Sequence, residues 1–187
     1  LSLGPTRREM IRRLAPLLDP GRPVRVLDMG CGTGQLVREI RAAFPDHELQ
    51  LKGVDISAGM IREAHKADPD GDYAVAAMEE YRDDPERYDV IVCTHSLPYY
   101  QDQTRAIGQF ASWLKPGGAL VLATGSVNNW IDALQLLVVG STTSRAHYPS
   151  IAEVERMLSP HFLIQERHRI REHFWIASIY LFVTLKK

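Results

Sequence analysis

Short apolar segments alternate with amphipathic ones along the first two thirds of the chain, which predicts strands alternating with helices. The predicted strands cover residues 24–29, 47–55, 73–78, 88–94 and 119–124. The predicted helices carry apolar residues at helical spacing and cover residues 6–18, 34–44, 58–67 and 102–114. Strands of this kind, alternating with helices, are typical of a parallel sheet covered on both faces.

The last third of the chain departs from this alternation. Residues 126–149 combine polar stretches with one apolar run, which indicates an inserted helix and loop. A capping-box pattern begins a predicted helix over 150–158. Residues 161–170 and 173–187 alternate residue by residue, which predicts a pair of antiparallel strands.

Composition indicates a globular domain and excludes several classes of protein. The chain has 187 residues, of which 45% are hydrophobic and 24% charged, enough for one domain with its own core. The net charge of −1 leaves no basic excess to neutralise phosphates, which disfavours nucleic acid as a partner. No apolar run approaches the roughly 18 residues of a membrane span, and the first ten residues lack the apolar stretch of a signal peptide. We therefore expect a single cytoplasmic domain over residues 1–187 that acts away from membranes.

Cysteine and histidine positions give no metal or disulfide pattern. Cys31 and Cys93 are too few for a disulfide scaffold, and we expect both to be buried, reduced thiols. The 7 histidines show no zinc-type pairing. The sequence therefore predicts no metal site.

A glycine-rich loop directly after the first predicted strand is the sharpest chemical signal. Gly30, Gly32 and Gly34 alternate along it, and the second predicted helix begins next. Glycines allow close approach of the backbone to a ligand, and the helix N-terminus adds N–H donors. The loop thus indicates a nucleotide-type site at the carboxyl end of the first strand, with a purely structural turn as the alternative. Gln35 stands where a dinucleotide-binding motif has its third glycine, which disfavours a nicotinamide oxidoreductase.

Five sequence blocks, in order, resemble the class I S-adenosylmethionine-dependent methyltransferases over roughly residues 20–187. The blocks are the loop from Asp28 to Gly34, Asp55 after the second strand, Ala77–Glu79 after the third, Tyr88–Val92, and Leu114–Leu120 before the fifth. The final hairpin is similar to the antiparallel sixth and seventh strands of that family. The resemblance implies an α/β fold with a doubly wound, mostly parallel seven-stranded sheet in the order 3-2-1-4-5-7-6, strand 7 antiparallel and helices on both faces. It also implies S-adenosylmethionine as cofactor and S-adenosylhomocysteine as product.

The resemblance implies roles for individual side chains. Asp28 would stay ionised near the cofactor ammonium with help from local N–H donors, and Asp55 would accept both ribose hydroxyls. Glu79 would accept from the adenine amino group, unless a neighbouring backbone group does so. The alternatives are a helix-capping role for Asp55 and a solvated surface position for Glu79. The full set of expected cofactor contacts is Asp28, Gly30, Cys31, Gly32, Gly34, Gln35, Asp55, Ile56, Met60, Ala77, Met78, Glu79, Thr94 and His95.

Residues 95–100 follow the fourth strand, which the family places beside the transferred methyl group. His95 is the predicted general base because an unperturbed pKa of about 6.5 allows proton uptake at neutral pH. A positioning or packing histidine is the alternative. Tyr99, the second predicted catalytic residue, and Tyr100 are expected to stack on the acceptor or the sulfonium, although one of the two is expected in the core.

The tetrapeptide Ser96–Tyr99 is similar to the motif of amino-methyltransferases that act on adenine, cytosine or glutamine. It departs from that motif because Leu97 replaces the first proline and the block begins about two residues late. The departure disfavours a planar amine as acceptor, and the neutral charge disfavours DNA.

The inserted segment over 126–149 is the predicted acceptor-binding region, and residues 1–18 are a candidate lid helix. Trp130 and His147 are expected to contact the acceptor, together with the two tyrosines after the fourth strand. The sequence thus predicts methyl transfer from S-adenosylmethionine to an N, O or C atom of a small molecule by in-line displacement. The alternative is a protein that binds this cofactor without methyl transfer, as a regulatory module or an enzyme of another reaction type.

Overall fold

The computed structural model describes residues 4–126, 146–170 and 178–187. Its strands are β1 (Val24–Met29), β2 (Leu49–Asp55), β3 (Asp72–Val75), β4 (Tyr88–Thr94), β5 (Leu114–Gly125), β6 (Phe162–Ile170) and β7 (Ile179–Lys186). Its α-helices are α1 (Gly4–Leu14), α2 (Gln35–Ala43), α3 (Ala58–Ala67), α4 (Gln103–Trp113) and α5 (Ile151–Leu158).

The strands form one sheet in the order β3-β2-β1-β4-β5-β7-β6. Strands β1 to β5 pair in parallel, whereas β7 pairs antiparallel with both β5 and β6. This arrangement confirms the predicted doubly wound α/β sheet. The order reverses at β1, which lies between β2 and β4, and such reversals are where open α/β sheets bind ligands.

An apolar core covers each face of the sheet. Successive residues of a strand point to opposite faces, so Val26 belongs to one core and Leu27 to the other. Helices α1, α2 and α3 cover the first face, which we call the α1–α3 face, and α4 and α5 cover the second, the α4–α5 face. Met10 and Leu14 of α1 are fully buried in the first core, so the middle of the candidate lid helix is part of the core.

Side-chain caps begin three of the helices where the sequence predicts them. Ser57 accepts from the Met60 N–H at 3.3 Å, and Asp102 accepts from the Arg105 N–H at 2.9 Å. Ser150 forms a complete capping box at the start of α5. These local signals fix where each helix enters the site end of the sheet.

Two predicted boundaries are wrong. The third strand ends at Val75 rather than at residue 78, and residues 76–87 form turns and irregular structure. The fifth strand begins at Leu114 rather than at residue 119, because Leu114 already pairs with Tyr88 before a shift in register. Of the predicted inserted segment, residues 127–145 lie outside the described residues, as do 171–177 before β7.

A buried carboxylate holds the amino end of β4. Asp89 accepts from the Arg25 N–H at 2.9 Å, from Lys115 Nζ at 2.9 Å and from Arg22 at 2.6 Å. Burial alone would raise the pKa of Asp89, but the Arg25 N–H and the two cations together lower it below its usual value. Asp89 therefore connects the amino end of β4 to Arg22, which precedes β1, and to Lys115 of β5.

Candidate active site

Three predicted site residues meet at the carboxyl ends of neighbouring strands. Asp28 pairs in register with Gly53 of β2 and with Val92 of β4. Asp55 and Thr94 lie two residues beyond those partners, so all three side chains are on the α1–α3 face. The structure thus places two carboxyl groups and one hydroxyl around the reversal point of the sheet.

The glycine loop folds back over the end of β2. The N–H groups of Gly30 and Cys31 both donate to the Val54 carbonyl, at 2.7 and 3.1 Å. Gly30, Gly32 and Gly34 have φ values of +84°, +55° and +68°, all in the left-handed region that side chains other than glycine rarely adopt. The loop therefore follows a path that only glycines adopt readily at these positions.

The three glycines face different surroundings. A Cβ on Gly30 would lie 2.5 Å from Ser96 Oγ, and a Cβ on Gly34 would lie 2.6 Å from the ring of Tyr73. A Cβ on Gly32 would meet no atom of the described residues within 4 Å. Protein side chains thus occupy the space beside the first and third glycines, and only the second leaves its backbone open for close approach of a ligand.

Asp55 connects the glycine loop to the start of α3. Its Oδ2 accepts from the Gly32 N–H at 2.9 Å, and its Oδ1 accepts from the Ser57 N–H at 2.8 Å. An ionised carboxylate has about four acceptor positions, so two are still available to ligand hydroxyls. Ile56 beside it is 73% exposed, and Met60 is also exposed, which leaves apolar surface next to the carboxylate.

Asp28 is buried, only 3% exposed, and its Oδ1 has no hydrogen-bond partner in the described part of the chain. Burial, together with the nearby Asp55, raises its pKa to about 7. The predicted N–H donors are therefore absent from Oδ1, and in the protein alone Asp28 is only partly ionised at pH 7. Thr94 Oγ1, on the same face, is likewise buried without a partner among these residues. A ligand with a cationic N–H donor matches this pair of oxygens.

The remaining predicted cofactor residues have protein partners or lie in the core. Glu79 Oε1 accepts from the Gln101 N–H at 2.8 Å, and Gln35 donates to Glu39 at 2.9 Å. Met78 is buried in the core of the α4–α5 face.

Cys31 and Ala77 also make contacts within the protein. Cys31 is a buried free thiol on the α1–α3 face, as Cys93 is on the other face, which confirms two buried, unlinked cysteines. The carbonyl of Ala77 accepts from the Tyr81 N–H at 2.9 Å and thereby shapes the turn after β3. For Cys31, as for Met78, burial leaves little side-chain surface for direct ligand contact.

His95 lies beneath α1 at the end of β4. The backbone N–H of His95 donates to the Ala123 carbonyl at 2.8 Å, and its φ is +61°. The ring nitrogen Nε2 lies 3.3 Å from Thr6 Oγ1. Burial lowers its pKa to about 4, so the imidazole is neutral at pH 7. The ordinary pKa that the sequence suggests is therefore wrong, because α1 shields the ring from water.

Tyr99 and Tyr100 have opposite environments. Tyr99 is 49% exposed, and its hydroxyl lies 3.4 Å from that of Tyr148. Tyr100 is turned inward against Phe110 on the α4–α5 face, where burial raises its pKa well above the usual value. Tyr100 is thus the member of the pair that the sequence expects in the core.

Sequence reasoning missed a hydrogen-bonded cluster that joins the segment after β4 to the glycine loop. Ser96 Oγ donates to the Met29 carbonyl at 2.8 Å and lies 2.8 Å from the Tyr100 hydroxyl. Cys93 Sγ lies 3.1 Å from the same Ser96 oxygen. The polar residues at 96 and 100, four apart around a short 3-10 turn over Leu97–Tyr99, were the available signal.

His147 docks the end of the inserted segment on this 3-10 turn. Its N–H donates to the Pro98 carbonyl at 2.8 Å, and its own carbonyl accepts from Gln103 Nε2 at 2.7 Å. The exposed His147 also lines a cavity of about 560 Å³ between the starts of α4 and α5. Neither Asp28 nor Asp55 lines that cavity. Trp130, the other predicted acceptor contact, lies outside the described residues.

Two further findings concern the described residues alone. No group of three or more His, Cys, Asp and Glu side chains among them could hold a metal ion. In the ranges 4–126, 146–170 and 178–187, no helix has the length and apolar character needed to cross a bilayer.

Comparisons with known proteins agree with this geometry. The chain is 36% identical over 129 residues to malonyl-[acyl-carrier protein] O-methyltransferase of Halalkalibacterium halodurans, covering 63% of the chain and 47% of that protein. It is 31% identical over 145 residues to ubiquinone biosynthesis O-methyltransferase of Xylella fastidiosa, covering 75% and 55%. A solved S-adenosylmethionine-dependent methyltransferase from Mesorhizobium loti superposes with a TM-score of 0.75 at 17% identity, covering 94% of this chain and 96% of that one.

The chain spans about half the length of these two curated relatives. A family model described as a methyltransferase domain matches residues 5–169, which include the glycine loop, both acidic strand ends and β4. On this match the chain belongs to the methyltransferase domain family.

Proposed function

We propose that this site transfers a methyl group from S-adenosylmethionine, the cofactor of the family, to an oxygen atom of a small-molecule acceptor. The observation that carries the proposal is the buried Asp28 carboxyl, whose Oδ1 has no partner among the described residues and which lies beside Asp55. The names of the two relatives, both O-methyltransferases, support oxygen as the acceptor atom.

The charge of the site favours this cofactor over a dinucleotide. A nicotinamide dinucleotide carries a pyrophosphate, and two carboxyl groups would repel its negative charge. S-adenosylmethionine instead carries an ammonium and a sulfonium, and when bound it supplies a methyl group on positively charged sulfur. Asp28 and Thr94 would hold the ammonium, and Asp55 would accept from the ribose hydroxyls. Gly32 would let the backbone approach, and Ile56 would cover the adenine.

His95 and Tyr99 are the proposed residues on the acceptor side. The neutral imidazole of His95 carries one N–H that would donate a hydrogen bond to the acceptor oxygen, while α1 keeps water away from the ring. With its pKa lowered to about 4, His95 has little driving force to remove a proton from an alcohol or phenol. An acceptor oxygen that is already ionised at neutral pH, such as a carboxylate, therefore suits this site best. The exposed ring of Tyr99 would pack on the acceptor.

The inserted segment over 126–149 would complete the acceptor site, with Trp130 and His147 as its proposed contacts. Residues 1–18 would cover His95, and the whole of 1–187 would act as one domain. The same proposal includes a cytoplasmic location. It also includes a small molecule, rather than a nucleic acid, as the acceptor. The net charge of −1 supports the second point.

Binding and transfer can be tested separately. Calorimetry with S-adenosylmethionine and with NADH should show binding of the first only, and Asp55→Ala should weaken it by about 1–3 kcal/mol. Radiolabelled methyl transfer should then be measured against a panel of small and carrier-bound carboxylic acids and phenols. Transfer to a carboxylate supports the proposal. Tight cofactor binding without transfer to any acceptor would instead favour the alternative, a protein that binds the cofactor without methylating. NADH binding in place of S-adenosylmethionine would exclude both.

A further inference from the structure

We propose that Ser96 and Tyr100 are positioning residues that hold the acceptor side of the site at a fixed distance from the glycine loop. The proposal rests on the proposed function, because it assigns one face of the site to the cofactor and the segment after β4 to the acceptor.

The link itself is made of side-chain hydroxyls on a main-chain carbonyl. Met29 is the last residue of β1, and its carbonyl accepts from Ser96 Oγ at 2.8 Å and from the Tyr100 hydroxyl at 3.4 Å. Ser96 also packs directly on the Cα of Gly30, because a Cβ there would lie 2.5 Å from Ser96 Oγ. The two side chains therefore fasten the chain after β4 to the loop that would hold the cofactor.

The link brackets the short turn that carries the acceptor side. Ser96 precedes and Tyr100 follows the 3-10 turn over Leu97–Tyr99, in which the Tyr99 N–H donates to the Ser96 carbonyl at 3.0 Å. The same turn receives His147 through the Pro98 carbonyl. Movement of this turn would therefore shift Tyr99 and the end of the inserted segment together.

The hydroxyls of Ser96 and Tyr100 bond to the Met29 carbonyl and lie 2.8 Å from one another. Tyr100 packs against Phe110 in the core of the α4–α5 face, whereas Asp28, Asp55 and Thr94 lie on the α1–α3 face. Loss of the hydroxyls leaves the proposed cofactor contacts in place but frees the turn. Small misplacements of an acceptor can lower turnover by about 10²-fold, so the effect should fall on kcat and not on cofactor affinity.

The test compares Ser96→Ala, Tyr100→Phe and the double variant with Tyr88→Phe. Tyr88 is a matched control because it is also a buried tyrosine with a hydrogen-bonded hydroxyl, which donates to Asp83 at 2.6 Å. It lies at the opposite end of β4 from Ser96. Calorimetry with S-adenosylhomocysteine should show less than about a threefold change in Kd for every variant, about 0.65 kcal/mol. With an acceptor from the panel, kcat should fall about tenfold in each single variant and about 10²-fold in the double, with KM for S-adenosylmethionine unchanged. Tyr88→Phe should leave kcat unchanged.

Amide hydrogen exchange tests the link without an acceptor. With S-adenosylhomocysteine bound, the Tyr99, Tyr100 and His147 amides should exchange at least about tenfold faster in the double variant and at the native rate in Tyr88→Phe. Unchanged exchange at all three amides would overturn the proposal, as would a Kd that weakens as much as kcat falls. Absence of methyl transfer by the native protein would count against the proposed function alone, since the exchange result still decides whether the link holds the turn.

Discussion

Replacing each glycine of the loop by alanine should give three different outcomes. Gly30→Ala places a methyl group against Ser96 and forces alanine to adopt a φ of +84°. The left-handed backbone costs about 1–2 kcal/mol, and overpacking adds about 1–3 kcal/mol. Gly34→Ala meets the Tyr73 ring at 2.6 Å with a φ of +68°, so its loss should be similar. We expect both variants to lose about 2–5 kcal/mol of unfolding free energy.

Gly32→Ala should behave differently, because its Cβ would meet no protein atom within 4 Å. Only the backbone term applies, so the free energy of unfolding should fall by about 1–2 kcal/mol. The added methyl group instead occupies the open face where the cofactor backbone contact is proposed. We expect S-adenosylmethionine affinity to fall at least about tenfold, equal to about 1.4 kcal/mol.

Urea unfolding with linear extrapolation measures the first effect, and calorimetry measures the second. A compensating variant sharpens the test, because Ser96→Gly removes the atoms that an alanine at 30 would strike. The pair Gly30→Ala with Ser96→Gly should recover part of the stability lost in Gly30→Ala. Equal stability of the 30 and 32 variants would refute the steric reasoning, and normal cofactor affinity in Gly32→Ala would refute the assignment of the open face.

Three further predictions use ionisable groups. Because the pKa of Asp28 is raised to about 7, binding of a cationic cofactor must displace the proton of Asp28 at lower pH. The affinity for S-adenosylmethionine should therefore fall by up to about tenfold per pH unit below pH 7. In calorimetry, Asp28→Asn should remove this dependence. His95→Ala should lower kcat by up to about 10²-fold with Kd intact, because the acceptor loses a hydrogen bond that positions it. The native pH–rate profile should show no step near 6.5, since burial lowers the pKa of His95 to about 4, and a near-normal rate in the variant would make His95 a packing residue. Asp89→Asn should lower the free energy of unfolding by about 2 kcal/mol at pH 7, because it leaves Lys115 and Arg22 without their charge partner. The pKa of Asp89 is lowered in the fold, so its contribution is complete above the usual aspartate pKa of about 4 and is lost as pH falls through the folded value; a difference between native and variant that persists in acid would contradict this.

The sequence predicted the strands that are buried on both faces most accurately. β1 and β4 begin and end where their apolar runs do, because a helix layer on each side demands apolar residues at every position. β3 lies at the edge of the sheet, where one residue in two is exposed and the apolar pattern is weaker. The sequence therefore predicted its end at residue 78, three residues after the observed end at Val75. The capping box at Ser150 was also predicted correctly, since cap and helix are adjacent in the chain.

Roles that depend on distant contacts were not readable from the sequence. Gly30 and Gly34 look equivalent to Gly32 in the motif, yet Ser96 and Tyr73 decide their surroundings from far along the chain. The low pKa of His95 likewise depends on α1, which reaches it through Thr6 across 89 positions. Sequence spacing identifies which residues lie at the site. It does not identify which of them contact residues that are distant in the chain.

The reversal of strand order at β1 explains why binding and positioning can be separated in this site. Because side chains alternate between the faces of the sheet, Asp28 faces the α1–α3 face while the next residue, Met29, turns its side chain to the α4–α5 face. Asp28 and Thr94, whose oxygens have no partner among the described residues, are on the first face, whereas Tyr100, which also bonds to the Met29 carbonyl, packs against the core of the second. Substitutions of Asp28 or Thr94 share no hydrogen-bond partner with substitutions of Ser96. We therefore expect the former to change cofactor affinity and the latter to change turnover, with effects that add.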